Sequence, residues 1–320
     1  MVLLRIICNF AQEKEVMYYR RKIILALLEA LDKDVSAKSM QKFLFLLTRK
    51  QKGDKSFDFV PYKYGCFSFQ ANQDIITLSK QGYIDIEKKE KKDSLYHSKC
   101  TTNIIQTLNM FDAQAIREVC DEFGSMSQDE LIAYTYRTSP FTAINSTIAD
   151  RLLTRKELEK VKECKERYRS SVPVLMTIGY EGFSLEKYLK QLICNDIRVL
   201  CDVRKNAFSM KYGFSKGILQ KACEGVGIKY IHVPALGIES EDRKSLNTQE
   251  DYDCLFQTYE QTSLKDNMEA LLYVRSILDE EKRVCLTCFE KDPKQCHRTR
   301  VAKALMNLPN VTYKFQEILL

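Results

Sequence analysis

The sequence predicts an α/β protein: a three-layer domain with a mostly parallel sheet over residues 172–320, preceded by a mainly helical, winged-helix-like domain over residues 1–150. Three observations predict it. After residue 172, short apolar runs rich in strand formers alternate with stretches of helical period, the order that builds a parallel sheet with right-handed crossovers. Before residue 150, helical periodicity leads into a small hairpin with a basic tip. Between the two, residues 151–171 include T-R-K-E-L-E-K-V-K-E-C-K-E-R-Y-R-S, so charged that it reads as a solvated helical linker.

Taken in order, R-R-K-I-I-L-A-L-L-E-A-L places Ile23, Ile24, Leu27, Leu28 and Leu31 on one side of a first helix. Ser36 caps a second, in which Met40, Phe43, Leu44 and Leu47 recur at spacings of three and four. F-D-F-V-P-Y-K-Y-G-C-F-S alternates as a short strand before a Gly turn, and a helix over residues 69–81 stops at Gly82. Y-I-D-I-E-K-K-E-K-K-D-S-L-Y-H gives two strands around a turn whose Lys88, Lys89, Lys91 and Lys92 suit contact with a phosphate backbone; a solvated hairpin tip is the equal alternative. Residues 112–146 are helical, with Ser127 and Glu130 spaced as a capping box. In the second half, strands are expected over 172–179, 197–204, 228–234 and 284–289. Helices are expected over 184–193, 215–226, 250–261 and 267–279 and again after Cys296, and V-T-Y-K-F closes the chain.

With 320 residues, 45% of them apolar, the chain can fill two cores and is not a disordered one. Lys and Arg number 50 against 43 Asp and Glu, a net +7 that is compatible with nucleic-acid contact and equally with a mixed solvated surface. Twelve cysteines scattered over a large chain, behind an M-V-L-L-R-I-I-C-N-F start with no basic leader, read as reduced thiols in a cytoplasmic protein. No run is long enough to span a bilayer, so no membrane is expected. The sequence holds no G-x-G-x-x-G and no G-x-x-x-x-G-K-S/T, which argues against ordinary dinucleotide or triphosphate binding; no cofactor is expected.

If the strands are parallel, their carboxyl ends converge on one edge, where open α/β sheets bind ligands. The first strand delivers Tyr180, the second Asp202 and Arg204, the third His232, and the fourth Cys288 and Glu290; Cys296, His297 and Arg298 stand at the next helix start. Asp202 and Arg204, two apart, share a face: Arg204 would clamp an anion while Asp202 orients it or accepts a proton, with a plain edge ion pair as the alternative. Cys296, at a helix N-terminus beside a His and an Arg, is a candidate nucleophile with a lowered pKa, or a residue that simply packs the helix start; Arg298 there suits an anion. Cys285 and Cys288, three apart on a strand, point to opposite faces. Cys288, Cys296, His297 and His232 form a zinc alternative, but their gap is no standard ligand knuckle and no metal is expected. Residues 235–249, with Gly237, Glu239, Glu241, Asp242 and Arg243, are long for a βα connection and read as a lid or a surface excursion.

These residues carry a family resemblance. T-I-G-Y-E-G, D-V-R-K-N-A-F-S with K-Y-G-F-S-K, the H-V-P-A-L-G-I run and C-F-E-K-D-P-K-Q-C-H-R resemble, in order over residues 174–305, the family catalogued as domain of unknown function 488. The resemblance implies a small α/β fold and, by position, the signature residues Gly179, Asp202, Arg204, Phe214, His232, Pro234, Gly237, Glu290, Cys296, His297 and Arg298. It implies no established activity and no standard cofactor; Ala207 stands where that family usually has Pro. In the N-terminal half, M-Q-K-F-L-F-L-L and V-P-Y-K-Y-G-C-F-S, followed by Asp74, Leu78 and Gly82, resemble the domain of the SocA-like antitoxins known as Panacea, with Cys66 in place of the usual Pro. That resemblance implies an interaction module.

The expectation is an enzyme, a hydrolase or transferase, acting on a nucleotide or nucleic acid. Asp202, Glu290, Cys296 and His297 would be catalytic, Tyr180, Arg204, His232 and Arg298 would bind substrate, and the N-terminal half would recognise a partner, nucleic acid or protein. The rival expectation is a non-catalytic DNA- or protein-binding regulator, antitoxin-like and of a phage-defence or stress operon, fused to a sensor of a small anion. A third is a redox sensor with one cysteine more reactive than the other eleven.

Overall fold

A computed structural model describes residues 17–88, 93–100, 102–239, 241–243 and 246–319. The chain forms two compact units, one of residues up to Phe57 with Gln70–Leu131, the other of Asp58–Phe69 with residues from Ile132 onward. In chain order the elements begin α1 (Tyr19–Leu31), β1 (Val35–Ser36), α2 (Ala37–Lys50), β2 (Val60–Tyr62), β3 (Gly65–Phe67), α3 (Phe69–Lys80), β4 (Ile84–Glu87) and β5 (Leu95–Ser98). They continue α4 (Met110–Phe123), α5 (Gln128–Thr138), α6 (Ala149–Leu152) and α7 (Arg155–Glu166).

In the first unit, α1 buries Ile23, Ile24, Leu27 and Leu28, and the Ser36 hydroxyl caps α2 by accepting from the Ser39 amide, as the spacing predicts. Strands β1, β5 and β4 form an antiparallel sheet in that order. The sequence α1-β1-α2-α3-β4-β5 around that sheet is the arrangement of a winged helix. Arg20 and Arg21 both pair with the buried Asp74 of α3, at 2.5 and 2.8 Å. Lys88 is exposed just after β4, whereas Lys89, Lys91 and Lys92 lie outside the described residues. α5 opens on the expected capping box: the Ser127 amide donates to Glu130 and the Glu130 amide to Ser127.

The short strand expected before the Gly turn is β2, and a second strand, β3, follows the turn and pairs with it antiparallel. Gly65 turns the chain with φ +92°, and a Cβ there would come within 2.4 Å of the Tyr136 ring. The charged stretch before the sheet is α7, with a capping box from Thr154 to Glu157 and Val161 packed inward with Tyr136 and Ile144.

The sheet of the second unit is built from β6 (Val174–Gly179), β7 (Val199–Asp202), β8 (Lys229–His232), β9 (Arg283–Cys288) and β10 (Lys314–Ile318), ordered β10-β6-β9-β7-β8 with every neighbouring pair parallel. Between them run α8 (Leu185–Cys194), α9 (Lys216–Gly225), α10 (Gln249–Gln261), α11 (Ser263–Asp266), α12 (Met268–Glu281) and α13 (His297–Met306). α8 and α9 cover one face of the sheet, and α10, α12 and α13 the other. The central strands are apolar throughout because both faces are covered: in β9, Cys285 packs into one layer while Val284 and Leu286 pack into the other. The register sets Gly179 beside Cys288, Thr287 beside Asp202, and Asp202 beside His232, so four strand ends finish level. Among the described residues no helix is long and apolar enough to cross a membrane.

Candidate functional site

Two side-chain networks meet at that level edge. The first hangs from β7. Asp202 is fully buried and accepts from the Arg204 guanidinium at 2.8 Å (Nε) and 2.5 Å (Nη2), from the Tyr230 hydroxyl at 2.6 Å and from the Arg204 amide at 3.1 Å. A carboxylate so bonded fixes the direction of the guanidinium. Burial works against the Arg204 charge, but Asp202 outweighs it and holds the guanidinium pKa above its ordinary value. Arg204 Nη1 reaches the Tyr180 hydroxyl at 2.8 Å, and Tyr180 stacks flat on Phe214, with ring centroids 4.3 Å apart. His232 Nε2 donates to the Arg204 carbonyl at 2.8 Å, which fixes the turn after β7.

The second network joins the end of β9 to the start of α13. The Cys288 and Cys296 sulfurs and His297 Nδ1 all lie within 4.8 Å of one another, and all three residues are buried. His297 Nε2 lies 2.9 Å from the Val203 carbonyl oxygen, and Nδ1 lies 2.7 Å from Arg243 Nη2 and 3.7 Å from the Cys288 sulfur. The other arm of Arg243 pairs with Glu290 Oε1 at 2.6 Å. Burial alone would raise both thiols. At Cys288, the hydrogen bond from Cys296, together with His297 and Arg243, overcomes burial and holds the pKa well below the ordinary thiol value. At Cys296, burial and the neighbouring Cys288 charge push it well above. The two sulfurs are coupled, and Cys288 is the member of the pair whose pKa is held down. The pKa of Glu290 is raised, by burial first and by Cys288 next.

Arg298, expected to clamp an anion, turns inward instead: it is 1% exposed, donates to the backbone carbonyls of Glu290 (2.5 Å) and Lys291 (3.3 Å), and leaves its Nε buried without a partner. It struts the loop after β9. The fit depends on Gly179, where a Cβ would sit 1.8 Å from the Glu290 carbonyl oxygen and 3.1 Å from Arg298 Nη1.

Above both networks lies a cleft of about 340 Å³ lined by Tyr180, Arg204, Lys205, Lys211, Arg243 and Cys288. Its rim carries Phe208, Met210 and Phe289, which are 66%, 91% and 42% exposed, a large apolar area to leave in water beside four cations. Lys211 donates to the Tyr180 carbonyl at 3.0 Å, and burial lowers its pKa.

Of the residues singled out in the sequence, Tyr180, Asp202, Arg204, His232, Glu290, Cys296, His297 and Arg298 thus gather at one sheet edge. Lys88 belongs to the other unit. Sequence reasoning undervalued Cys288, Arg243, Lys205 and Lys211. For Lys205 and Lys211 the local signal was the alternation of basic and bulky apolar residues in R-K-N-A-F-S-M-K.

Comparison with the curated proteins finds no match to the chain. The resemblance of the N-terminal half to the SocA-like antitoxins is not shown by comparison with family models. The C-terminal unit is placed by one: residues 184–305, from the start of α8 to α13 and including Asp202, Arg204, Glu290 and the Cys296-His297-Arg298 run, match the family described as Domain of unknown function DUF488.

Proposed function

We propose that the C-terminal unit is an enzyme acting on a nucleotide or nucleic-acid substrate, a hydrolase or transferase that works through the Cys288 thiolate. One observation carries the reading: the Cys288 sulfur lies in a cleft with Arg204, Lys205, Lys211 and Arg243, and exposed aromatic and thioether side chains edge that cleft. Cations of this kind neutralise phosphate, and flat exposed side chains accept a stacked base. Asp202 and Tyr180 position Arg204 against the anion. Glu290, kept protonated to higher pH by its burial, is the group that gives a proton to a leaving oxygen, and Cys296 and His297 hold Cys288 in its charged form.

The test is turnover of a panel of nucleotides and short single-stranded oligonucleotides by the full chain, with Cys288→Ser and Glu290→Gln alongside. The expected result is product formation that each substitution lowers by at least about 100-fold. Turnover that survives Cys288→Ser would overturn the assignment of the nucleophile.

The winged-helix arrangement of the first unit favours a second reading, a non-catalytic regulator whose N-terminal unit binds DNA or a protein partner while the cleft senses a small anion. Anion binding at the cleft without turnover, unchanged by Glu290→Gln, would select it.

A further inference from the structure

We propose that Cys288 and Cys296 are a modification site at which a hydroperoxide entering the cleft closes an intramolecular disulfide and takes the reacting sulfur out of use. The geometry carries it. The two sulfurs lie within 4.8 Å of each other, against about 2.0 Å in a disulfide. Both are buried, 1% and 0% exposed, but Cys288 lines the cleft and Cys296 does not. A small oxidant therefore meets Cys288 first and finds Cys296 poised behind it. Arg243, which lines the same cleft as Cys288, stands beside the oxygen that must leave.

The chemistry balances. The Cys288 thiolate attacks one peroxide oxygen, the O–O bond breaks, and the sulfur becomes a sulfenic acid as hydroxide (or alkoxide) departs with the electron pair. The Cys296 sulfur then attacks the Cys288 sulfur. The S–O bond breaks, the Cys296 proton leaves with that oxygen as water, and a disulfide remains. Two electrons pass from the sulfurs to one peroxide. Cys201, Cys223 and Cys285 are buried in the apolar layers of the sheet, where burial raises their thiol pKa values, so they do not compete. Cys254 is exposed and serves as the internal control for non-selective oxidation.

The consequence for turnover rests on the reading given above, but the bond itself does not, and the experiment is run without any nucleotide. The reduced full-length chain is treated with one equivalent of hydrogen peroxide and examined by intact mass and by digestion without reduction. The expected result is loss of the mass of two hydrogens and a cross-linked peptide containing residues 288 and 296, both reversed by dithiothreitol. In Cys296→Ser the chain should instead gain one oxygen at Cys288, trapped by dimedone. In Cys288→Ser, Cys296 should stay reduced. Oxygen on Cys254 with residues 288 and 296 still reduced in the native chain would overturn the proposal, and so would oxidation of Cys296 in Cys288→Ser. A failed turnover assay leaves this outcome untouched, and a missing cross-link leaves the substrate reading untouched.

Discussion

Replacing Asp202 by Asn tests whether the edge of the sheet is held by a buried ion pair. The side chains of Asp202 and Arg204 are 0% and 6% exposed. The carboxylate accepts from two guanidinium nitrogens and from Tyr230. Asn keeps the volume but turns one acceptor into an NH₂ group facing donors, and it leaves the Arg204 charge buried without a counter-ion. Removing one partner of a buried pair costs about 3–5 kcal/mol. At about 1.4 kcal/mol per factor of ten, that raises the population of the opened sheet roughly 100- to 5,000-fold. Cys201, next to Asp202, and Cys285, one strand away, report that opening: both are 0% exposed and can be alkylated only when the sheet unfolds around them. Their labelling rates in native buffer, with reclosing faster than reaction, should rise by that factor in Asp202→Asn. Combining it with Arg204→Met, which removes the orphaned charge, should return most of the loss, so the double-mutant cycle should give a large favourable coupling. A rise of less than tenfold in the single variant would refute the claim that this pair is desolvated and coupled.

Three further outcomes follow from the same contacts. Gly179→Ala places a methyl group 1.8 Å from the Glu290 carbonyl oxygen, a backbone atom that cannot swing aside. It should cost about 1–3 kcal/mol in the Cys285 labelling assay and weaken anion binding in the cleft, while the stability of the first unit is unchanged. Glu290 has a raised pKa, so the stability contributed by its neutral acid is fully present below the unfolded value of about 4.3 and is lost as pH climbs through the folded one. Comparing chemical denaturation of the native chain and Glu290→Gln at pH 4, 5.5 and 7, the balance should move steadily in favour of Gln; a pH-independent difference would count against the burial assigned to this carboxyl. Ser127→Ala removes the hydroxyl that caps α5 and should destabilise that helix by about 1 kcal/mol, seen as faster proteolysis there.

The sequence was readable where local pattern and global topology impose the same requirement. Continuous apolar runs such as V-L-M-T-I-G form strands covered on both faces, and helices between them force parallel pairing, so the convergence of Tyr180, Asp202, His232 and Glu290 follows without coordinates. Ser36, Gly82 and the Ser127 to Glu130 box were legible for the same reason, since a cap is a contact over two to four residues. Side-chain direction was not. Arg298 stands at a helix start, where anions bind, yet it turns to the Glu290 carbonyl, because Gly179, on a strand far away in sequence, leaves that space open.

The Cys288–Cys296 pair shows the limit most clearly. Position at a helix N-terminus favours a thiolate at Cys296, and that much is local. Two sulfurs in hydrogen-bond contact, however, share one proton, and the charge settles on the sulfur that faces the stronger cations. Here Arg243 faces Cys288, and Arg243 arrives on the long connection after β8, whose register against β9 no local pattern encodes. The two arms of the same guanidinium hold Glu290 Oε1 and His297 Nδ1, so one side chain acts on the sulfur, the carboxyl and the imidazole together.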